Sequence, residues 1–298
     1  MARIVRYGWF VLAFNVGVIL LGALVRATGS GAGCGRSWPG CQGMLVPELE
    51  GATAVEFTHR AASGVALVLV AVLVVWVWRA TAQGHPARTG VLLSAVAVVG
   101  EALIGAMIVL AEWVAEDTSM ARAVSVPLHL VNTLFLLAAL TLTIVWLRGG
   151  SRLDFGKDTK ITRAVVLGAI ALVLLAATGA VTALADTLFP KTDDLSGVEH
   201  FLTRLRVVHP VLAVFAASTG WWVSSKSGHA RTPAVKGLFV LVAAMMLTGL
   251  VNIVLGVPVW MQLVHLALAD ALWITFVLVS ARALQMSDTT ASRLSPSR

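Results

Sequence analysis

The chain has 298 residues, of which 58% are apolar and only 12% are charged, and its formal net charge is +7. Soluble domains carry about 25% charged residues, so this composition excludes an ordinary soluble enzyme. The apolar residues also come in blocks long enough to cross a bilayer, which takes about 20 residues. The sequence therefore predicts an all-α integral membrane protein.

Eight membrane-spanning helices are predicted in chain order, at 7–26, 57–78, 89–111, 124–147, 163–185, 205–225, 236–256 and 259–281. The last two form one long apolar run, which we divide at Gly256 and Pro258 because proline ends or kinks a helix. The first run has no cleavage-type sequence at its end, so it is predicted to be a retained span.

Basic and acidic residues alternate between the connecting segments. Lys and Arg concentrate near both termini and in every second connection, whereas most Asp and Glu lie in the others. Because basic residues favour the cytoplasmic side, both termini and the loop 148–163 are predicted to be cytoplasmic. This bias accounts for the net charge without a nucleic-acid partner. Met1–Phe10 is too short for a transit peptide, which favours a prokaryotic plasma membrane with the loop 27–55 on its extracytoplasmic side.

The polar loop 148–163 divides the chain into two similar halves, 1–150 and 151–298. In each half the second and fourth spans carry a histidine near the outer end. These residues are His59, His129, His209 and His265. Because each half has an even number of spans, both halves have the same orientation in the membrane. The sequence therefore predicts two pseudo-symmetric four-helix bundles, related as a parallel repeat about an axis along the membrane normal.

The four histidines are the main indication of chemistry, because an ionisable side chain inside a membrane is costly. A single histidine near the boundary is more often a satisfied interfacial residue. Four at one depth favour two facing pairs in the bundle cores, where helix bundles build cofactor sites. Paired imidazoles suit a six-coordinate heme iron. Zinc or copper is less favoured, because no carboxylate or cysteine clusters with each pair.

A carboxylate accompanies one of these histidines. Glu56 lies three residues before His59, so the two side chains share a helix face. Glu56 is either a helix-entry acid favoured by the helix dipole or a group placed for acid–base work at the edge of a heme. The second half has Arg206 three residues before His209 instead. The two sites are therefore predicted to differ chemically.

Basic residues also lie at the outer helix ends: Arg26, Arg60, Arg204 and Arg206. They either snorkel to the interface or pair with heme propionates, whose geometry suits a bidentate guanidinium contact.

Cys34 and Cys41 lie seven residues apart in the outer loop, on an oxidising side of the membrane. They are predicted to form a disulfide, which is either a structural staple or a redox-active pair. Two carboxyl groups, of Glu101 and Asp270, fall inside predicted spans, and the sequence gives neither a partner.

Three segments closely resemble the heme A synthase family. They are residues 22–31 (GALVRATGSG), the loop from Cys34 to Cys41 with its Trp38-Pro39-Gly40-Cys41 end, and Glu56-Phe57-Thr58-His59-Arg60. With the spans and histidines in order, the resemblance covers nearly the whole chain. The family oxidises a methyl group of heme O to a formyl group, giving heme A for terminal cytochrome oxidases. The resemblance thus implies a membrane oxidoreductase.

The resemblance also implies residue roles. His59 and His129 would flank the substrate heme O, Glu56 matches the family's functionally important glutamate, and His209 and His265 would ligate a heme b cofactor. A heme O synthase (farnesyltransferase) and cytochrome oxidase assembly factors are the partners it suggests. Two other functions remain open on the sequence: a heme carrier that does no chemistry, and a quinone-linked diheme cytochrome.

Overall fold

The computed structural model describes residues 1–156, 158–188, 207–218 and 233–285. In these residues we find α-helices and no β-strand. The helices are α1 (Ala2–Ala27), α2 (Gly51–Ala80), α3 (Pro86–Leu110), α4 (Met120–Leu147), α5 (Thr159–Leu188), α6 (Val207–Ser218), α7 (Pro233–Val254) and α8 (Val259–Leu284). All except α6 are long and apolar enough to cross a membrane. The predicted all-α membrane class is confirmed.

Several helices extend beyond the apolar runs that predicted them. α2 begins at Gly51 and α5 ends at Leu188, outside the predicted spans 57–78 and 163–185. Hydropathy marks only the part of a helix that lies in hydrocarbon, whereas backbone hydrogen bonding continues into interfacial residues. The remainder of the predicted sixth span, which includes Arg206, lies outside the described residues, and so does Arg204.

Local sequence sets some of the helix ends. At the start of α4, the Ser119 hydroxyl accepts a hydrogen bond from the backbone N–H of Arg122 at 3.2 Å, as an N-cap residue does. Between α7 and α8, Gly256 adopts a φ of +73° and Pro258 caps the next helix. The predicted division of the long final run is therefore confirmed, because glycine accepts that left-handed backbone and proline cannot continue α7.

α4 is the central helix of the described fold. It packs against α1, α3, α5 and α8, and its Leu137, Leu140 and Ile144 are buried. Helices α1 to α4 close a ring, because each packs against the next and α1 packs against α4. The outer helices keep many apolar side chains exposed. Such exposure is expected where helices face lipid rather than water.

The two ends of the bundle carry different segments. At one end Met1, His85 and Arg148 line a shallow pocket, so the N-terminus lies beside the α2–α3 and α4–α5 connections. The α4–α5 connection also bonds the end of α8, through the Asp154 N–H and the Leu284 carbonyl at 2.7 Å. The opposite end holds the cysteine-containing loop between α1 and α2.

Candidate functional site

The four predicted histidines line a single large cavity of about 2460 Å³. Its wall is mostly apolar, and the four packed helices α1 to α4 form one side of it. His59 and His129 reach the cavity from helices α2 and α4, and His209 and His265 reach it from helices α6 and α8. The structure thus brings together one histidine pair from each half.

Each histidine ring packs against a glycine of the preceding helix. The pairs are Gly22–His59, Gly105–His129, Gly179–His209 and Gly249–His265. A Cβ added at Gly22 would lie 2.9 Å from Cε1 of His59, and one at Gly179 would lie 3.0 Å from Cε1 of His209. Only glycine leaves such space for a ring. The sequence analysis missed these residues, although each lies in the odd-numbered helix before a histidine-bearing one.

Threonine hydroxyls hold the histidines of the C-terminal half. Oγ1 of Thr178 lies 3.2 Å from Nδ1 of His209. Oγ1 of Thr248 lies 3.0 Å from Nδ1 of His265. Both threonines directly precede the glycine that faces the ring. The repeated Thr-Gly pair in α5 and α7 was the signal from which sequence reasoning could have found them.

A carboxylate lies beside His129 in the N-terminal half. Nδ1 of His129 lies 2.9 Å from Oε2 of Glu101. The same carboxylate accepts hydrogen bonds from Nδ2 of Asn132 at 2.5 Å and from Oγ1 of Thr133 at 3.0 Å. These contacts supply the partners that a charge inside a span requires. Asp270 differs, since it is 1% exposed and no described residue hydrogen-bonds to its carboxyl group.

Glu56 is buried near the N-terminal end of α2, where it lines the cavity together with His59. Its Oε1 accepts hydrogen bonds from the guanidinium of Arg60, one helical turn further on. Its Oε2 accepts the backbone N–H of Cys34 at 2.7 Å. Both oxygens therefore have charged or polar partners, as a buried carboxylate needs. The group links the cavity to the cysteine loop.

The cysteine loop is tied down on this end of α2. The predicted disulfide between Cys34 and Cys41 is present. Arg60 donates to the carbonyl groups of Ser37 and Gly40, at 2.5 and 2.6 Å, so the segment between the two cysteines is anchored to α2. The loop consequently forms a lid over the part of the cavity that contains His59.

Arg26 connects the two halves of the chain. From the end of α1 its guanidinium donates to the Ala183 carbonyl and Thr187 hydroxyl of α5, both at 2.7 Å. It donates to Oε1 of Gln262 in α8 at 2.7 Å as well. Arg26 also lines the cavity, as Arg60 does. These are the two of the four predicted arginines that the structure describes.

A model of the COX15-CtaA family, described as cytochrome oxidase assembly protein, matches residues 5–277. The chain belongs to this family. The matched residues contain all four histidines, the cysteine pair and both carboxylates of the N-terminal pair. The features that dominate the cavity therefore all lie within the COX15-CtaA region.

Individual relatives carry two different names. The chain is 45% identical over 297 residues to a Thermus thermophilus protein named protoheme IX farnesyltransferase, covering 95% of this chain and 49% of that protein. It is 42% identical over 106 residues to a heme A synthase of Lysinibacillus sphaericus, covering 34% of each. It is 36% identical over 140 residues to a heme A synthase of Geobacillus kaustophilus, covering 46% of this chain and 44% of that protein. The chain thus spans about half the length of the Thermus relative.

Proposed function

We propose that this COX15-CtaA protein is a heme A synthase, which oxidises a methyl group of heme O to the formyl group of heme A. The observation that carries the proposal is the placing of four membrane histidines around one cavity, with the buried carboxylate of Glu56 one helical turn before His59. The relatives named heme A synthase support it. The product would serve a terminal cytochrome oxidase, in keeping with the description of the family.

The residues present fit two hemes. Each half offers two imidazoles, which are suitable ligands for a heme iron. For three of the four rings, a Cβ on the facing glycine would lie within 3.3 Å of the ring. His59 and His129 would hold the substrate heme O. His209 and His265 would hold a heme b, which when bound supplies a one-electron carrier. Arg26, Arg60, Arg204 and Arg206 are proposed to bind heme propionates.

The proposed architecture is two pseudo-symmetric four-helix bundles with both termini in the cytoplasm. The closed packing of α1 to α4 and the glycine–histidine contacts in both halves support the repeat. The clustering of the N-terminus with basic connections at one end supports the orientation. The disulfide loop would then lie on the extracytoplasmic side of a prokaryotic plasma membrane.

Glu56 is the residue proposed to act on the substrate methyl group. Converting a methyl to a formyl group through a hydroxylated stage removes protons and electrons and adds an oxygen atom. Glu56 lines the cavity beside His59 and is placed to accept protons at the ring edge. Arg60 would keep the carboxylate oriented, because it contacts Oε1 while Cys34 contacts Oε2.

The first prediction concerns Glu56→Gln. The amide keeps an oxygen for the Cys34 N–H but loses the proton-accepting carboxylate, so heme A formation should fall about 100-fold or more. Heme O and heme b should still be bound. The measurement is heme A produced per purified protein, with the bound hemes extracted and separated by chromatography.

The matched control is Glu50→Gln, at the exposed N-cap of the same helix, where heme A output should stay at the wild-type level. Undiminished heme A output by Glu56→Gln, with full heme O binding, would remove Glu56 from the chemistry.

The hemes extracted from the wild-type protein separate the other functions. Heme b together with heme O or A supports a synthase. Two heme b per chain would support a diheme electron carrier, and loosely held heme of mixed type would support a heme carrier.

A further candidate function is prenyl transfer to protoheme, which the name of the Thermus relative favours. Formation of heme O from protoheme and a farnesyl donor by this chain alone would establish that candidate instead.

A farnesyltransferase is the proposed source of the substrate. In the Thermus protein of that name, a segment similar to nearly all of this chain makes up 49% of the polypeptide. Such an arrangement would place a heme O-forming activity next to a heme O-consuming one. We infer that this chain receives heme O from a farnesyltransferase within the membrane.

A further inference from the structure

Two threonines of the C-terminal half determine which nitrogen of each histidine carries the proton. Oγ1 of Thr178 lies 3.0 Å from the carbonyl groups of both Leu174 and Leu175 in its own helix. A hydroxyl has one proton, and here that proton is donated to the α5 backbone. With the hydroxyl proton on the α5 backbone, the contact between Oγ1 and Nδ1 of His209 is a hydrogen bond in which Nδ1–H donates to Oγ1.

The same reasoning applies to the second histidine of that half. Oγ1 of Thr248 donates into α7, to the Ala244 carbonyl at 2.9 Å or the Met245 carbonyl at 3.1 Å. It therefore accepts Nδ1–H of His265. In a neutral imidazole with the proton on Nδ1, the lone pair is on Nε2. These contacts favour, for both rings, the tautomer that presents Nε2 to a metal.

The described N-terminal half has no such hydrogen bond between a threonine hydroxyl and a histidine ring. The residues that precede its two facing glycines are Leu21 and Ile104, which have no hydroxyl group. Nδ1 of His129 lies against the Glu101 carboxylate instead. For His59, no hydroxyl side chain among the described residues hydrogen-bonds to Nδ1. The same backbone contact is therefore repeated four times, but the hydrogen bond to a hydroxyl occurs only in the second half.

We propose that Thr178 and Thr248 are positioning residues that make the His209–His265 pair the retentive heme site, while the His59–His129 pair is built for exchange. Rings that are already oriented lose little freedom when they ligate iron, so their heme dissociates slowly. Neither a hydroxyl nor a carboxylate of a described residue hydrogen-bonds to Nδ1 of His59, so the N-terminal pair contains a ring without this restraint and releases its ligand more readily, as a substrate site requires. The proposal rests on the proposed function for the assignment of heme b and heme O to the two pairs.

The test uses Thr178→Val together with Thr248→Val in the full-length protein, in a His59→Ala, His129→Ala background where only the C-terminal pair can ligate heme. Valine keeps the β-branched shape and removes the hydroxyl. Transfer of heme to an excess of apomyoglobin should become about tenfold faster or more. The midpoint potential should shift to a more positive value, because Nδ1–H loses its acceptor and the imidazole becomes a weaker donor to ferric iron.

Two controls separate positioning from a general loss of structure. Thr141→Val removes a buried hydroxyl that donates to the Leu137 carbonyl of its own helix, and should change neither quantity. Thr178→Ser together with Thr248→Ser keeps the hydroxyl groups, and should leave both heme retention and midpoint potential at the values of the background protein.

The outcomes distinguish the two proposals. If the background protein holds heme, and the valine variant retains it at an unchanged rate and potential, the positioning role is wrong and the proposed function survives. If the background protein holds no heme at all, the assignment of a heme to His209 and His265 fails as well.

Discussion

The carboxylates of the N-terminal histidine pair differ in how they reach their partners. Glu56 lies in the same helix as His59 and Arg60, so helical spacing alone places these three groups together. Glu101 and His129 come from different helices, and their contact depends on how α3 packs against α4. The relation of Glu56 to His59 was therefore visible in the sequence, whereas the contact between Glu101 and His129 was not.

Glu101→Gln tests the role of this second carboxylate. Glutamine can still bond to Asn132 and Thr133, but it removes the negative charge behind Nδ1 of His129 and so weakens that ring as a ligand. Loss of such a partner typically lowers affinity about 10- to 100-fold. Heme O bound by the purified protein should fall accordingly, while heme b, measured in the same extract, should not change.

Glu112→Gln is the control for that experiment, because Glu112 is exposed and forms only a long surface ion pair with Arg36 at 3.8 Å. A heme O content equal to that of the wild type in Glu101→Gln would mean that His129 needs no carboxylate.

At the scale of helices, neighbouring elements are joined by one kind of contact used four times. An odd-numbered helix presents a glycine, and the next helix places a histidine ring against it. Apolar helices that face lipid gain little from the hydrophobic effect, so close packing and interhelical polar contacts fix their register. The glycines therefore position the rings as much as the histidine-bearing helices do.

Gly22→Ala should displace His59 without unfolding α1. The new Cβ would lie 2.9 Å from Cε1 of the ring, which must move. Overpacking of this kind costs about 1–3 kcal/mol, so occupancy of the N-terminal site by heme O should fall about tenfold. The measurement is the heme O content together with the low-spin absorbance spectrum.

Gly17→Ala in the same helix has nothing within 4 Å of the added Cβ and provides the control. It should leave heme content unchanged and stabilise α1 slightly, since alanine is the better helix former by about 1 kcal/mol. Normal heme O binding in Gly22→Ala would show that the His59 ring can move away from the added Cβ without losing heme O.

At the scale of the whole molecule, the described helices of the two halves pack directly against each other. α1 and α4 contact α5 and α8. Nε1 of Trp273 in α8 donates to the Leu134 carbonyl of α4 at 2.7 Å, and Arg26 adds three hydrogen bonds from α1. Most of these contacts lie along the shared cavity.

Arg26→Met should therefore weaken the association of the halves. It removes three charge-assisted hydrogen bonds and leaves acceptors of α5 and α8 without their donor, which costs about 2 kcal/mol. The thermal unfolding temperature of the heme-free protein in detergent should fall. Arg36→Met, whose side chain is 70% exposed, should leave that temperature unchanged.

The same variant tests the propionate contact proposed for Arg26. If Arg26 acts only on heme, the heme-free variant will unfold at the wild-type temperature, and only the heme-loaded variant will unfold at a lower temperature. A lower unfolding temperature in both forms would mean that the guanidinium joins the halves before any heme binds.

Much of the fold could be predicted because membrane solvation acts on each segment separately. Long apolar runs must form helices, since a backbone in hydrocarbon satisfies its hydrogen bonds internally. This fixed the all-α class and the break at Gly256 and Pro258. Composition could not fix where helices end, as the early start of α2 shows, because residues beyond the hydrocarbon remain helical.

The sequence by itself determined the long apolar helices, the positions of the four histidines along them and the disulfide, because each of these depends on residue type and on spacing along the chain. Only the tertiary structure decided what surrounds each imidazole: Glu101 behind His129, threonine hydroxyls behind His209 and His265, and a glycine opposite every ring. These contacts depend on the rotation and depth of one helix against another. Interhelical packing sets that register, and no single segment encodes it.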